Sequence, residues 1–78
     1  MPAEARLIRR VHDTVRLYDD GQRPVILPVT QEELATMAGT TRPSANRALR
    51  QLERAGMVAL GRGKIEVHYP EEIARQAR

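Results

Sequence analysis

Apolar side chains recur at helical spacing near the start of the chain. Leu7, Val11, Val15 and Tyr18 fall on one stripe, with Ile8 beside it. That spacing predicts an amphipathic helix over 3–18. Arg6, Arg9, Arg10, Asp13 and Arg16 fall mostly off the stripe and belong to the solvent side. The run Asp19-Asp20-Gly21-Gln22-Arg23-Pro24 then breaks the pattern with glycine and proline. Val25-Ile26-Leu27 is a short β-rich run bounded by Pro24 and Pro28. Proline has no N–H to give a ladder, so this run is expected to be an edge strand.

The next two elements announce their own ends. Thr30 and Glu33 stand at capping-box spacing, which starts a short helix over 31–38. Gly39 stops it, because glycine takes the left-handed conformation that other residues resist. Thr41 caps a second helix. Pro43 is tolerated in its first turn, where backbone N–H groups lack helical partners in any case. This helix is expected to run to about Ala55, with Gly56 as its stop. Met57–Leu60 and Lys64–Tyr69 then read as two strands joined by Gly61-Arg62-Gly63. Pro70 ends the second strand. Residues 71–78 fit either a short final helix or a frayed tail.

The stretch from Thr30 to Leu52 carries the most information. Two helices joined by a tight turn cross steeply and need small residues where they touch. Ala35, Gly39, Ala45 and Ala48 supply them, while Leu34, Ala38, Leu49 and Leu52 fill the interior. Packing of that face turns Arg42, Ser44, Asn46, Arg47, Arg50 and Arg54 outward. The fold expected is α+β, mostly α with a small β-hairpin wing: a winged helix-turn-helix. It forms a single domain over 1–78, with an N-terminal helix at about 3–18, the helix-turn-helix at about 30–55 and the wing at about 57–69.

Charge sharpens this picture by its placement. The chain of 78 residues carries a formal net charge of +3. Between Arg42 and Lys64 there are six cations, Arg42, Arg47, Arg50, Arg54, Arg62 and Lys64, against the one acid Glu53. That segment is +5, so the rest of the chain sums to −2. A basic segment on a nearly balanced body fits a polyanion partner. Arg42 and Arg47 lie in the half of the helix that enters the groove in this motif, and an arginine fork matches guanine O6 and N7. Helix-start N–H groups, with the Thr41 and Ser44 hydroxyls, suit phosphate. Asn46, Arg50 and Arg54 are candidates for backbone phosphates, as are Arg62 and Lys64 on the wing.

Other chemistries find little support. There is no cysteine, which removes disulfides and thiolate metal sites. His12 and His68 are far apart, and each reads as a rim histidine. Gly61-Arg62-Gly63-Lys64 lacks the spacing of a phosphate-binding loop and reads as a tight turn. Ser44 has no neighbouring acid or histidine to activate it, and no paired carboxylates stand out, so no enzyme is expected. Met37 and Met57 read as core. No apolar run is long enough to span a membrane, and the start lacks the apolar stretch of an export signal, so the cytoplasm is the expected location.

From Leu27 through Val58 the sequence LPVTQEELATMAGTTRPSANRALRQLERAGMV resembles the DNA-binding domain of the CRP/FNR family of bacterial transcription regulators. The likeness runs from about Leu7 to Tyr69 and is strongest from Thr30 to Met57; Gly61–Tyr69 looks like that family's wing. The resemblance implies base contacts from Arg42, Pro43 and Arg47. Pro43 stands where well-known members carry a glutamate; it offers apolar contact instead of a carboxylate. Thr30, Thr41 and Ser44 match phosphate-contacting positions. Double-stranded DNA is the implied partner, with homodimerisation and contact to RNA polymerase in a full-length context; the chain alone is expected to be monomeric. The family's sensor domain and long dimerisation helix find no counterpart in these residues, so the chain is expected to be either the C-terminal part of a longer regulator, the favoured reading, or a stand-alone DNA-binding protein. No cofactor is implied for this segment. The competing reading is a winged-helix protein-interaction module without DNA readout, which predicts an apolar or acidic outer face on the second helix.

Overall fold

Helix α1 (Ala3–Tyr18) forms where the apolar stripe predicted it. The computed structural model describes residues 2–78. Leu7, Ile8, Val11 and Val15 are buried on the inner face of α1. Thr14 is buried with them, and its hydroxyl donates to the Arg10 carbonyl at 2.8 Å, so that hydroxyl is not stranded. Tyr18 departs from expectation: it is 47% exposed, because it lies at the end of the helix, a turn beyond the last covered position. Below it the Asp19 carboxylate accepts from the Gly21 N–H at 3.0 Å and from Arg23 at 2.9 Å. Those contacts, the Gly21 N–H first, hold its carboxyl below the usual range.

Strand β1 (Val25–Leu27) leads into α2 (Gln31–Ala38) and α3 (Arg42–Arg54). Strands β2 (Val58–Gly61) and β3 (Lys64–Val67) follow, and helix α4 (Pro70–Gln76) closes the chain. The sheet order is β1-β3-β2, antiparallel throughout. The expected two-stranded wing therefore becomes a three-stranded sheet, with β1 on an edge as its flanking prolines require. Val25 and Val58 both pair with Val67, and Leu27 and Leu60 with Ile65. Alternation along the strands turns Val25, Leu27, Val58, Ile65 and Val67 into the core. Gly61 belongs to β2 and pairs with Lys64, which leaves Arg62 and Gly63 as the turn. Gly63 has φ +69°, a conformation natural to glycine.

The C-terminal segment is a helix. Pro70 sits in its first turn, and Ile73 is completely buried. Buried Pro70 and Ile73, with Ala77 packed against the core, tie α4 to it. Met57 is buried as expected; Met37 is 39% exposed on α2.

Candidate nucleic-acid interface

Local chemistry sets the start of each helix in the α2–α3 pair. At α2, the Thr30 hydroxyl accepts from the Glu33 N–H at 2.9 Å, and the Thr30 N–H donates to the Glu33 carboxylate at 2.8 Å. This reciprocal pair satisfies two otherwise orphaned donors. Gly39 ends α2 with φ +67°. One residue later, Thr41 caps α3 by accepting from the Ser44 N–H at 3.2 Å. Each threonine oxygen is engaged as an acceptor, so each hydroxyl keeps its proton for an outside acceptor.

Helix α3 turns one face inward and one outward. Ala45, Ala48, Leu49 and Leu52 are buried. At about 100° per residue, the opposite line runs through Pro43, Arg47, Arg50 and Arg54; all four are exposed. Two flanks lie between these faces. Arg42 and Asn46 stand toward the first turn of α2, and with Thr30 and Arg50 they border an open recess that reaches Gly61 and Gly63 of the wing. Ser44 and Gln51 stand toward the start of α1, beside Ala3 and Glu4.

The cations differ in how firmly they are held. Arg50 pairs with Glu53 at 2.8 Å. The Arg50 hydrogen bond is the main cause that holds the Glu53 carboxyl below the usual range. Arg42 and Glu32 approach only to 3.9 Å, with both side chains more than 70% exposed. Such an open pair holds weakly and is screened by salt. Among the described residues, no acid pairs with Arg47, Arg54, Arg62 or Lys64.

The structure brings most of the sequence-derived candidates onto one side. Thr30, Arg42, Asn46 and Arg50 meet at the recess, Pro43, Arg47 and Arg54 lie on the outer line, Thr41 is exposed at the start of α3, and Arg62 and Lys64 are exposed at the wing. Two residues differ from the outward placement expected. Ser44 is half-buried where the start of α1 covers it. Asn46 is also half-buried, and its side-chain amide donates to the Gln31 side-chain oxygen Oε1 at 2.7 Å. Gln31 and Glu32 were not among the sequence-derived candidates. Their signal was position: they are the first two residues after the Thr30 cap, and a crossing helix pair brings that turn against α3. Among the described residues, no three histidine, aspartate or glutamate side chains converge as metal ligands, and no helix is long and apolar enough to cross a membrane.

Residues 5–76 match the family profile of the Crp-like helix-turn-helix domain. Solved structures agree. A transcriptional regulator of the CRP/FNR family from Thermus thermophilus superposes with a TM-score of 0.83 at 24% identity, over 95% of this chain and 39% of that one. The catabolite activator protein of Thermus thermophilus gives 0.74 at 31% identity, over 96% of this chain and 35% of that one. The CO-dependent transcription factor CooA from Carboxydothermus hydrogenoformans gives 0.73 at 21% identity, over 95% and 37%. This chain thus spans little more than a third of each of these proteins. No curated protein sequence matches it.

Proposed function

The chain belongs to the Crp-like helix-turn-helix domain family, and on that premise we propose that it binds double-stranded DNA sequence-specifically, with α3 in the major groove. One observation carries this reading: the exposed line of α3 starts beside a capped helix end and holds arginines without acidic partners on other elements. Arg42 and Arg47 read bases, each able to give two parallel hydrogen bonds to a guanine. Pro43 offers an apolar surface to a thymine methyl. Thr30, Thr41, Ser44, Arg50 and Arg54 face the sugar–phosphate backbone, and Arg62 and Lys64 reach it from the wing. The basic outer face disfavours a protein-interaction module without DNA readout.

The matched regulators are longer than this chain, and the likeness to them supports a wider role. The domain is the DNA-binding part of a CRP/FNR-type transcription regulator. It acts as a dimer on an inverted repeat, with half-sites about one helical turn apart, and stands within reach of RNA polymerase.

A titration of the labelled chain with short duplexes, followed by amide NMR shifts, tests the proposal. Shifts should gather on residues 41–54, on the start of α2 and on the wing turn, and binding should weaken steeply with salt. Shifts gathered on α1 and α4, or none at low salt, would overturn it.

A further inference from the structure

Most of what joins α2 to α3 is apolar. Ala35, Ala38 and Ala45 are buried near the turn, with Leu34 and Leu49 beneath them. Apolar contact sets how closely the helices approach but is not directional. It leaves the roll of α3 about its own axis loosely defined. A helix surface lies about 5–6 Å from the axis, so a roll of about 10° moves the side-chain surface by about 1 Å. A bidentate guanine contact does not tolerate that error well.

The hydrogen bond from Asn46 to Gln31 supplies the missing direction. At 2.7 Å, and half-buried, it is the only side chain-to-side chain hydrogen bond between α2 and α3 among the described residues. Asn46 stands one turn after Arg42 and directly before Arg47, the two arginines that read bases in the proposal above. Its partner Gln31 follows the Thr30 cap, so the capping box anchors the far end of the link. The Glu32–Arg42 approach at 3.9 Å joins the same turn of α2 to the same flank of α3. One turn of α2 thus holds that flank at two points, one firm and one loose.

We infer that Gln31 and Asn46 are positioning residues: their amide bridge fixes the roll of α3, which sets Arg42 and Arg47 in register with the bases. The inference rests on the DNA-reading proposal and deepens it. Neither amide needs to touch DNA. A bound duplex would cover the recess and exclude water from it, and a hydrogen bond strengthens as its surroundings lose water. The bridge therefore tightens when register matters most.

The test compares the wild-type chain with Gln31→Ala, Asn46→Ala, the double alanine variant and the exchanged pair Gln31→Asn/Asn46→Gln. Each is titrated with its preferred half-site duplex and with a scrambled duplex, across salt, and each is checked by its Tm. Either single variant should lose about fivefold to tenfold on the preferred duplex, the size of one hydrogen bond. The scrambled duplex and the salt slope should not change. The double alanine variant should be no worse than either single one. The exchanged pair, which keeps an amide bridge of the same total length, should recover most of the loss. Equal losses on both duplexes with a shallower salt slope would show that the amides bind phosphate themselves, and would overturn the inference. Unchanged affinity in every variant would overturn it as well. A wild-type chain with no preference between duplexes would bring down the DNA-reading proposal and the bridge together, and would be recognised because the reference chain itself fails.

Discussion

Helices α1 and α3 are made of the same materials and put them to different uses. Each is amphipathic, each buries an aliphatic stripe, and each carries four arginines. On α1, Arg6 donates to the Gly39 carbonyl at 3.2 Å and Arg9 to the Ala77 carbonyl at 3.4 Å. These two arginines fasten α1 to the turn of the helix-turn-helix and to the end of α4. On α3, the arginines of the outer line are tied at most to a residue of the same helix. The starts differ as well: Pro2 gives α1 no side-chain cap, whereas Thr41 caps α3. The number of arginines on a helix therefore says little about its partner. What matters is whether neighbouring elements leave the guanidinium groups free.

The comparison can be tested in order of expected effect. Leu49→Ala removes a completely buried side chain from the inner face of α3. It should lower stability by about 2–5 kcal/mol in chemical denaturation, and DNA binding should fail with the fold. A small change would mean that this face is not core. Arg47→Ala should separate the two properties: about 1–3 kcal/mol lost on the preferred duplex, selectivity relaxed at one base pair, and Tm unchanged. An equal loss on every sequence would remove Arg47 from base reading. Arg9→Ala should do the reverse. Its exposed bond to Ala77 contributes about 0.5 kcal/mol or less to stability, so Tm should fall slightly while affinity for DNA holds. A marked loss of affinity would place α1 in the interface and erase the contrast.

The smallest effect concerns Glu53, which neutralises Arg50. Glu53→Gln should raise affinity slightly for any duplex, without changing sequence preference, and the gain should fade with salt. Acid gives a related readout. The Glu53 carboxyl is held below its usual range in the fold, so its contribution to stability is complete above the ordinary carboxylate range and is lost as pH falls through the lowered value. Stability of the Glu53→Gln variant should accordingly fall less between neutral and acid pH than that of the wild type.

Local chemistry was the most legible part of the sequence. The Thr30–Glu33 box, the Gly39 stop and the Thr41 cap act within four residues, and each forms where the spacing placed it. Contacts between distant segments were harder to read. The pairing of β1 with β3 turns a two-stranded wing into a sheet, and it joins Val25 to Val67 across most of the chain. The burial of Ile73 decides that the tail is a helix, and nothing within residues 71–78 reveals which surface receives it. Tyr18 and Met37 show the limit of periodicity: it gives the side of a helix a residue lies on, but not whether a neighbour covers it. The candidate site follows the same division. Its arginines and threonines were legible from residue type and offset, whereas Gln31 needed the crossing of two helices to bring it to Asn46.

The central claim is that Arg42 and Arg47 of α3 read bases. Selecting duplexes from a randomised pool at low salt, and sequencing what the wild-type chain and Arg47→Ala each retain, tests it most directly. The account predicts a half-site with one or two fixed guanines for the wild type, and loss of fixation at one of them for the variant. Retention without enrichment, or the same half-site from both chains, would contradict it.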